Sequence, residues 1–218
     1  PQLAARFETA AQLPGAEYLA KLRYLILPIR EADAVPQPLR CKTLLELPRA
    51  AFGTVEPDIM RRLAALEGSD FAGVVANNLA QFGYASPLPV FGGLGLNVTN
   101  PMSAAEYVCL GACGLLVQPE TALTAMRAVA PRQKDGTPVP TAALCYGHLP
   151  LMLTRACPLR NVRTSCAGCT HKGKLRDRKG RDFPVRCSAP GSAGMRTVFN
   201  PVPLYMGDRL TEMPVDLA

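Results

Sequence analysis

From residue 71 to residue 130 the chain alternates short apolar runs with amphipathic ones at a steady beat. FAGVVAN (71–77) reads as a strand, NLAQFGYA as a helix, PVFGG and GLNV as strand segments, AAEYVCLGA as a helix, GLLVQ (114–118) as a strand and TALTAMRAVA as a helix. Strands that alternate with helices of about ten residues dictate right-handed β-α-β units and a parallel sheet. Upstream, Tyr24–Leu27 and Thr43–Leu47 read as buried strands ended by Pro28 and Pro48, and 57–66 reads as a helix with proline in its first turn. Residues 1–21 read as a helix and its approach, broken at Pro14-Gly15, and AALCYG (142–147) as a strand that LPLML extends.

The fold class expected is therefore α/β, a TIM-barrel-like (β/α)8 architecture. Only about six strong strands are legible, whereas a closed barrel of this type needs eight. The barrel is accordingly expected to be incomplete in this chain, its missing strands coming from an N-terminal part of a longer protein or from a partner chain. The last 31 residues read as an appendage to the barrel. The expected organisation is a barrel portion over 1–153 and a cysteine-rich metal-binding segment with its extension over 154–218.

A chain of 218 residues, 48% hydrophobic and 19% charged, is long enough for a sizeable core, and its 21 prolines and 18 glycines imply many loops. No uninterrupted apolar run is long enough to span a membrane, and no basic segment leads into an apolar one at the start. Eight cysteines without such a leader fit a reducing cytoplasm.

Four of those cysteines, Cys157, Cys166, Cys169 and Cys187, fall within 31 residues. Four thiolates can hold Zn²⁺ or an iron–sulfur cluster, because both ask for four soft anionic ligands. Zinc ribbons usually bring two short C-x₂₋₄-C knuckles. Here only Cys166 and Cys169 form a C-x-x-C, which suits a cluster gripped from a folded surface better than a ribbon, with zinc, disulfides and unligated thiols as the alternatives. His171 lies inside the block as a possible substitute ligand. Cys41, Cys109, Cys113 and Cys145 read as small buried apolar residues.

The charge is uneven. Of 24 basic and 17 acidic residues, ten and two lie between 154 and 187, leaving 14 and 15 elsewhere. The cysteine block thus carries the whole positive excess, which would attract a phosphate backbone or a small anion, or would stabilise a thiolate cluster; the plain alternative is a solvated loop. Phe183 is the one aromatic residue within it, so base stacking has no support there.

PLMLTRACPL, CAGC, LRDRKGRDFPVRC and FNPVPLYMGDRL resemble the C-terminal half of the U32 family, long labelled collagenase-like peptidases. LLELPRAAFG, GVVANNLAQFG and GLGLNVTNPMSAAEYVCLGACGLLVQPE are similar to its barrel segments, so the resemblance runs from about residue 22 to about residue 210. It implies a β/α barrel and a [4Fe–4S] cluster on Cys157, Cys166, Cys169 and Cys187. It also implies oxygen-independent hydroxylation of transfer RNA, ribosomal RNA or a ubiquinone precursor, with prephenate as hydroxyl source. The basic surface favours RNA as the partner, and an anionic small molecule such as prephenate would be attracted as well.

Chemistry in β/α barrels collects where strands end. The polar residues that follow the expected strands are Arg49, Asn78, Asn97, Asn100, Glu120, His148 and Arg155, with Arg178 and Lys179 of the DRKG run expected near the cluster. Arg49 and Arg155 would clamp a carboxylate or phosphate. The plain alternatives are turns for Asn97 and Asn100, a helix cap for Glu120 and a core hydrogen bond for His148. His148 stands where relatives often carry Arg, so it would bind an anion only when protonated. Peptidase chemistry is the alternative function, but the two histidines have no recognisable nucleophile beside them and no HExxH is present. A non-catalytic four-cysteine module that binds RNA or a protein is the other alternative.

Overall fold

The computed structural model describes residues 1–84, 86–160, 166, 169–188 and 194–218. They form two compact units. The first comprises Pro1–Ala51, Glu56–Leu144 and Arg209–Ala218, and the second Phe52–Val55 and Cys145–Asp208. The second unit is therefore an insertion in the chain. Its main segment runs from Cys145 to Asp208 where 154–218 was expected, and the last ten residues belong with the first unit.

The first unit is a curled seven-stranded parallel sheet: β1 (Leu3–Arg6), β2 (Leu22–Pro28), β3 (Thr43–Glu46), β4 (Gly73–Ala76), β5 (Val90–Gly92), β6 (Ala112–Val117) and β7 (Thr141–Ala143), paired in sequence order. Its connections are short. Single helical turns α1 (Ala16–Leu19) and α2 (Gln37–Arg40) precede β2 and β3, α3 (Val55–Ala64) precedes β4, and α4 (Pro101–Cys109) and α5 (Leu123–Ala128) flank β6. In α3, Ile59 and Leu63 recur at helical spacing and are both buried.

Three expectations change here. Residues 1–21 hold a strand, β1, where a helix was expected, because LAAR is too short and alanine-rich to show a strand alternation. Of GLNV, Gly95 and Leu96 lie in a 3₁₀ turn over Leu94–Leu96 while Val98 makes a parallel bridge to Val117, and the helix expected at NLAQFGYA is a 3₁₀ turn over Leu79–Gly83. The barrel is incomplete in having seven regular strands. Leu217 forms parallel bridges both to Gln2 beside β1 and to Ala142 in β7. Main-chain bonds Gln2 N→Asp216 O (2.8 Å) and Ala143 N→Leu217 O (3.0 Å) hold it there. The C-terminal residues, expected as an appendage, thus occupy the eighth position with a bridge in place of a β-α unit.

The register assigns the inner face. Arg6 pairs with Ile26 and Ile26 with Leu44; Glu46 pairs with Val75, Val75 with Phe91 and Phe91 with Gly114. Tyr24 and Phe91 lie in phase with these residues. Three strand spacings, about 14 Å in a flat sheet, separate their strands, yet their rings meet at 5.9 Å edge to face. They do so because the sheet curls. The other face carries Leu25, Leu27, Leu45 and Val74, each 1% exposed or less, as the main core.

The second unit contains a four-stranded antiparallel sheet in the order β10-β11-β12-β9, with β9 (Pro150–Thr154), β10 (Lys172–Arg176), β11 (Asp182–Cys187) and β12 (Arg196–Phe199). A two-residue ladder joins β8 (Tyr146–Gly147) to β13 (Leu204–Tyr205). Strand β9, expected as the barrel's last, belongs to this sheet. Among the described residues no helix is long and apolar enough to cross a membrane.

Candidate functional site

The antiparallel sheet gives the cysteine block its order. β9 and β11 run one way, β10 and β12 the other, so the end of β9, the start of β10, the end of β11 and the start of β12 share one edge of the sheet. Cys187 is the last residue of β11, Cys157 lies three residues after β9, and Cys166 and Cys169 lie in the connection that enters β10. The strand order thus places Cys157 and Cys187 at one end of one sheet, with Cys166 and Cys169 in the connection that enters β10 at that same end.

Local bonds support that end. Cys169 N donates to Cys166 O (3.1 Å). The amide of His171 donates to Cys169 Sγ at 3.4 Å. His171 itself adopts φ 60°, and its carbonyl accepts from Cys187 N at 2.9 Å, tying the C-x-x-C connection to β11. Arg160 N donates to Cys157 O at 3.0 Å. None of the eight cysteines is in a disulfide. Among the described residues no three His, Cys, Asp or Glu side chains converge into a metal-holding group. Residues 161–165 and 167–168, which separate three of these cysteines, lie outside the described residues.

Sequence reasoning missed Arg196. It pairs in register with both Cys187 and Thr154, is 4% exposed, and donates from Nη1 to Arg155 O (2.7 Å) and Gly194 O (2.5 Å). Arg196 is thus a buried cation directly across the ladder from a cysteine. The signal was present in the alternation of MRTVFN, where one inward position carries arginine.

The remaining expected site residues scatter. Arg178 and Lys179 form the β10–β11 turn, at the opposite end of the sheet from Cys187 and roughly 15 Å along the strands from it. They do not lie beside the cysteines as expected. His148 and Asn200 also sit at that far end, where the exposed His148 ring donates from Nδ1 to Asn200 O at 2.7 Å. Arg155 stays with the cysteine end, its guanidinium 5.1 Å from the Phe52 ring centre. Arg49 belongs to the other unit. Cys41 and Cys109 are exposed and Cys113 and Cys145 half-buried, so these four are not the core residues expected. Burial pushes the Cys145 thiol up.

In the parallel sheet, Asn78 and Asn100 act as caps: Asn78 Oδ1 accepts from Gln81 N (3.3 Å) and Asn100 Oδ1 from Ser103 N (2.9 Å). Asn97 takes the left-handed conformation that ends a 3₁₀ turn, and its Oδ1 accepts from Gln118 Nε2 at 2.5 Å. Glu120 is exposed and does not cap α5, whose N-cap is Ala122. The charged cluster at the strand ends is made of other residues. Arg6 donates to Glu46 (2.6 Å) and Glu8 (2.7 Å), and Arg30 lies 3.7 Å from Glu31 and 4.0 Å from Glu8. Burial works to lower the Arg6 pKa, but Glu46 and Glu8 outweigh it and hold the guanidinium above its ordinary value. With both arginines already engaged by carboxylates, this mouth is a satisfied network and not an open anion clamp. A cleft of about 180 Å³ lined by Arg127, Arg132, Thr141 and Asp216 lies at the start of β7, away from the strand ends.

No family model and no curated protein matches the chain. A solved structure described as a U32 peptidase is similar at 12% identity and a TM-score of 0.49, over 67% of this chain and 69% of that one.

Proposed function

We propose that this chain is an iron–sulfur enzyme of the oxygen-independent hydroxylase class acting on RNA, its [4Fe–4S] cluster held by Cys157, Cys166, Cys169 and Cys187. The observation that supports the reading is the gathering of these four cysteines at one end of the antiparallel sheet, with the buried Arg196 guanidinium paired across from Cys187. The donor types suit such a group in their chemistry: four thiols, an amide directed at one sulfur, and a fixed positive charge. A bound cluster would supply the electron transfer that side chains cannot. The chain's own residues would hold it, bias it through Arg196, and present Arg155 to an anionic co-substrate such as prephenate.

The test is iron and sulfide content with a visible spectrum on protein purified without oxygen. About four iron and four sulfide per chain, lost on Cys157→Ser or Cys187→Ser, is the expected result. One zinc without sulfide would replace the redox reading by a structural metal site. Peptide cleavage that survives metal removal would favour the peptidase alternative.

A further inference from the structure

The β10–β11 hairpin concentrates one sign of charge on one face. Between Lys172 and Cys187 there are seven basic and two acidic residues. On β10, Lys172, Lys174 and Arg176 are exposed while Gly173 and Leu175 turn the other way, and Arg186 pairs in register beside Lys172. The turn adds exposed Arg178, Lys179 and Arg181.

The two acids are already engaged. Asp182 accepts from Lys174 Nζ (2.6 Å) and Arg176 Nε (2.7 Å). Asp177 Oδ1 accepts from the amides of Lys179 (2.8 Å) and Arg181 (2.9 Å), and Gly180 at φ 77° completes the turn. Among the described residues Lys172, Arg178, Lys179, Arg181 and Arg186 make no ion pair. A surface built for solubility mixes signs, as the rest of this chain does; five uncompensated cations on one ribbon repel one another and call for an anionic partner.

We propose that this ribbon is a nucleic-acid surface that binds the phosphate backbone of a base-paired RNA. Lys172, Lys174 and Arg176 stand at alternate positions on β10, about 6.7 Å apart and close to the spacing of successive phosphates along a nucleic-acid strand, with Lys174 and Arg176 shared with Asp182. Phe183, the hairpin's one aromatic residue, pairs with Leu175 on the opposite face. Without a ring beside the cations there is no stacking platform for unpaired bases. The contacts available are charge contacts to phosphate, which position a duplex without reading its sequence. The choice of RNA over DNA rests on the function proposed above, whereas the surface itself needs neither metal nor turnover.

The test is fluorescence anisotropy of the whole protein with an RNA duplex of about 20 base pairs, its DNA counterpart and single-stranded oligouridine, over roughly 50 to 300 mM salt. Arg178→Glu with Lys179→Glu is compared with an equal charge reversal elsewhere, Lys21→Glu with Lys134→Glu. The expected result is at least about tenfold weaker duplex binding for the ribbon pair and a salt slope reduced by about 2, against less than about threefold for the control pair. The milder Arg178→Gln with Lys179→Gln gives an intermediate loss if the reversal unfolds the hairpin. Equal losses in both pairs would reduce the effect to net charge and overturn the proposal. So would oligouridine bound more tightly than the duplexes, or polyglutamate displacing RNA at equal charge, which would assign the ribbon to an acidic protein. A DNA duplex bound tenfold more tightly than RNA would overturn the choice of RNA. Loss of binding in Cys157→Ser with Cys187→Ser while the ribbon is intact would place the contact at the cysteine end and overturn it too. Binding that persists in that double variant, with iron lost, separates this surface from the proposed chemistry.

Discussion

Arg6 donates through Nε to Glu46 Oε2 at 2.6 Å although β2 lies between their strands. The register places both on the inner face of the curled sheet at the strands' C-terminal ends, and Asn77 Nδ2 adds a longer bond to Glu46 at 3.4 Å. Side-chain exposures of 45% for Arg6 and 21% for Glu46 keep the pair within reach of solvent. A double-mutant cycle of Arg6→Met and Glu46→Gln, read by urea denaturation, should therefore give a coupling of about 1 kcal/mol, toward the upper end for an exposed pair. A coupling near zero would mean the pair only decorates the mouth.

Asn77 is 3% exposed and saturated: Nδ2 donates to Leu47 O (2.9 Å), Oδ1 accepts from Gly95 N (3.2 Å), and its amide donates to Gln81 Oε1 (2.6 Å). Asn77→Ala leaves the Leu47 carbonyl and the Gly95 amide unpaired, an expected cost of about 2 kcal/mol. Gly95→Ala should cost at least as much, because its Cβ would stand 2.0 Å from Asn77 O, a backbone atom that cannot step aside. Chemical denaturation of the two single variants checks both.

The strands that fill the core were legible because each is a run of Leu, Val or Ile closed by Pro, Asn or Gly; β2, β3, β4 and β6 follow that rule. β1 and the bridge at Leu217 were not, since LAAR and VDLA are too short to carry a period and are held by neighbours distant in sequence. The same limit applies to the sites. Spacing marked the four cysteines as a candidate set, but no local pattern says that Glu46 meets Arg6 or that Arg196 pairs with Cys187. Proximity of Arg178 to Cys187 in sequence misled for the converse reason, since a hairpin sends its turn away from its ends.

Asp182 carries the pH dependence of the ribbon. Hydrogen bonds from Arg176 and Lys174, with their charges, hold its carboxyl well below the usual carboxylate range. A folded-state pKa below the unfolded one contributes stability that is present above about pH 4 and lost as pH falls through the folded value. Asp182→Asn should lower stability at neutral pH and flatten the decline in melting temperature below about pH 4. It should also release Lys174 and Arg176, so the same variant is expected to bind duplex RNA more tightly at neutral pH. Weaker binding would mean that Asp182 shapes the ribbon more than it competes with phosphate.

Arg196 separates structural support from electrostatic support at the cysteine end. Its Nη1 bonds to Arg155 O and Gly194 O fasten the start of β12 to the chain leaving β9. Arg196→Met strands two carbonyls and buries no charge, an expected loss of about 2 kcal/mol. Arg196→Lys keeps the charge while losing the planar fork, so it should cost similar stability. The two variants diverge if the guanidinium also balances four thiolates: chelator competition at equal folded fraction should then release metal roughly tenfold more readily from Arg196→Met than from Arg196→Lys. Equal release from both would confine Arg196 to holding the sheet edge together and leave the thiolates to be stabilised by the amide of His171 and its neighbours.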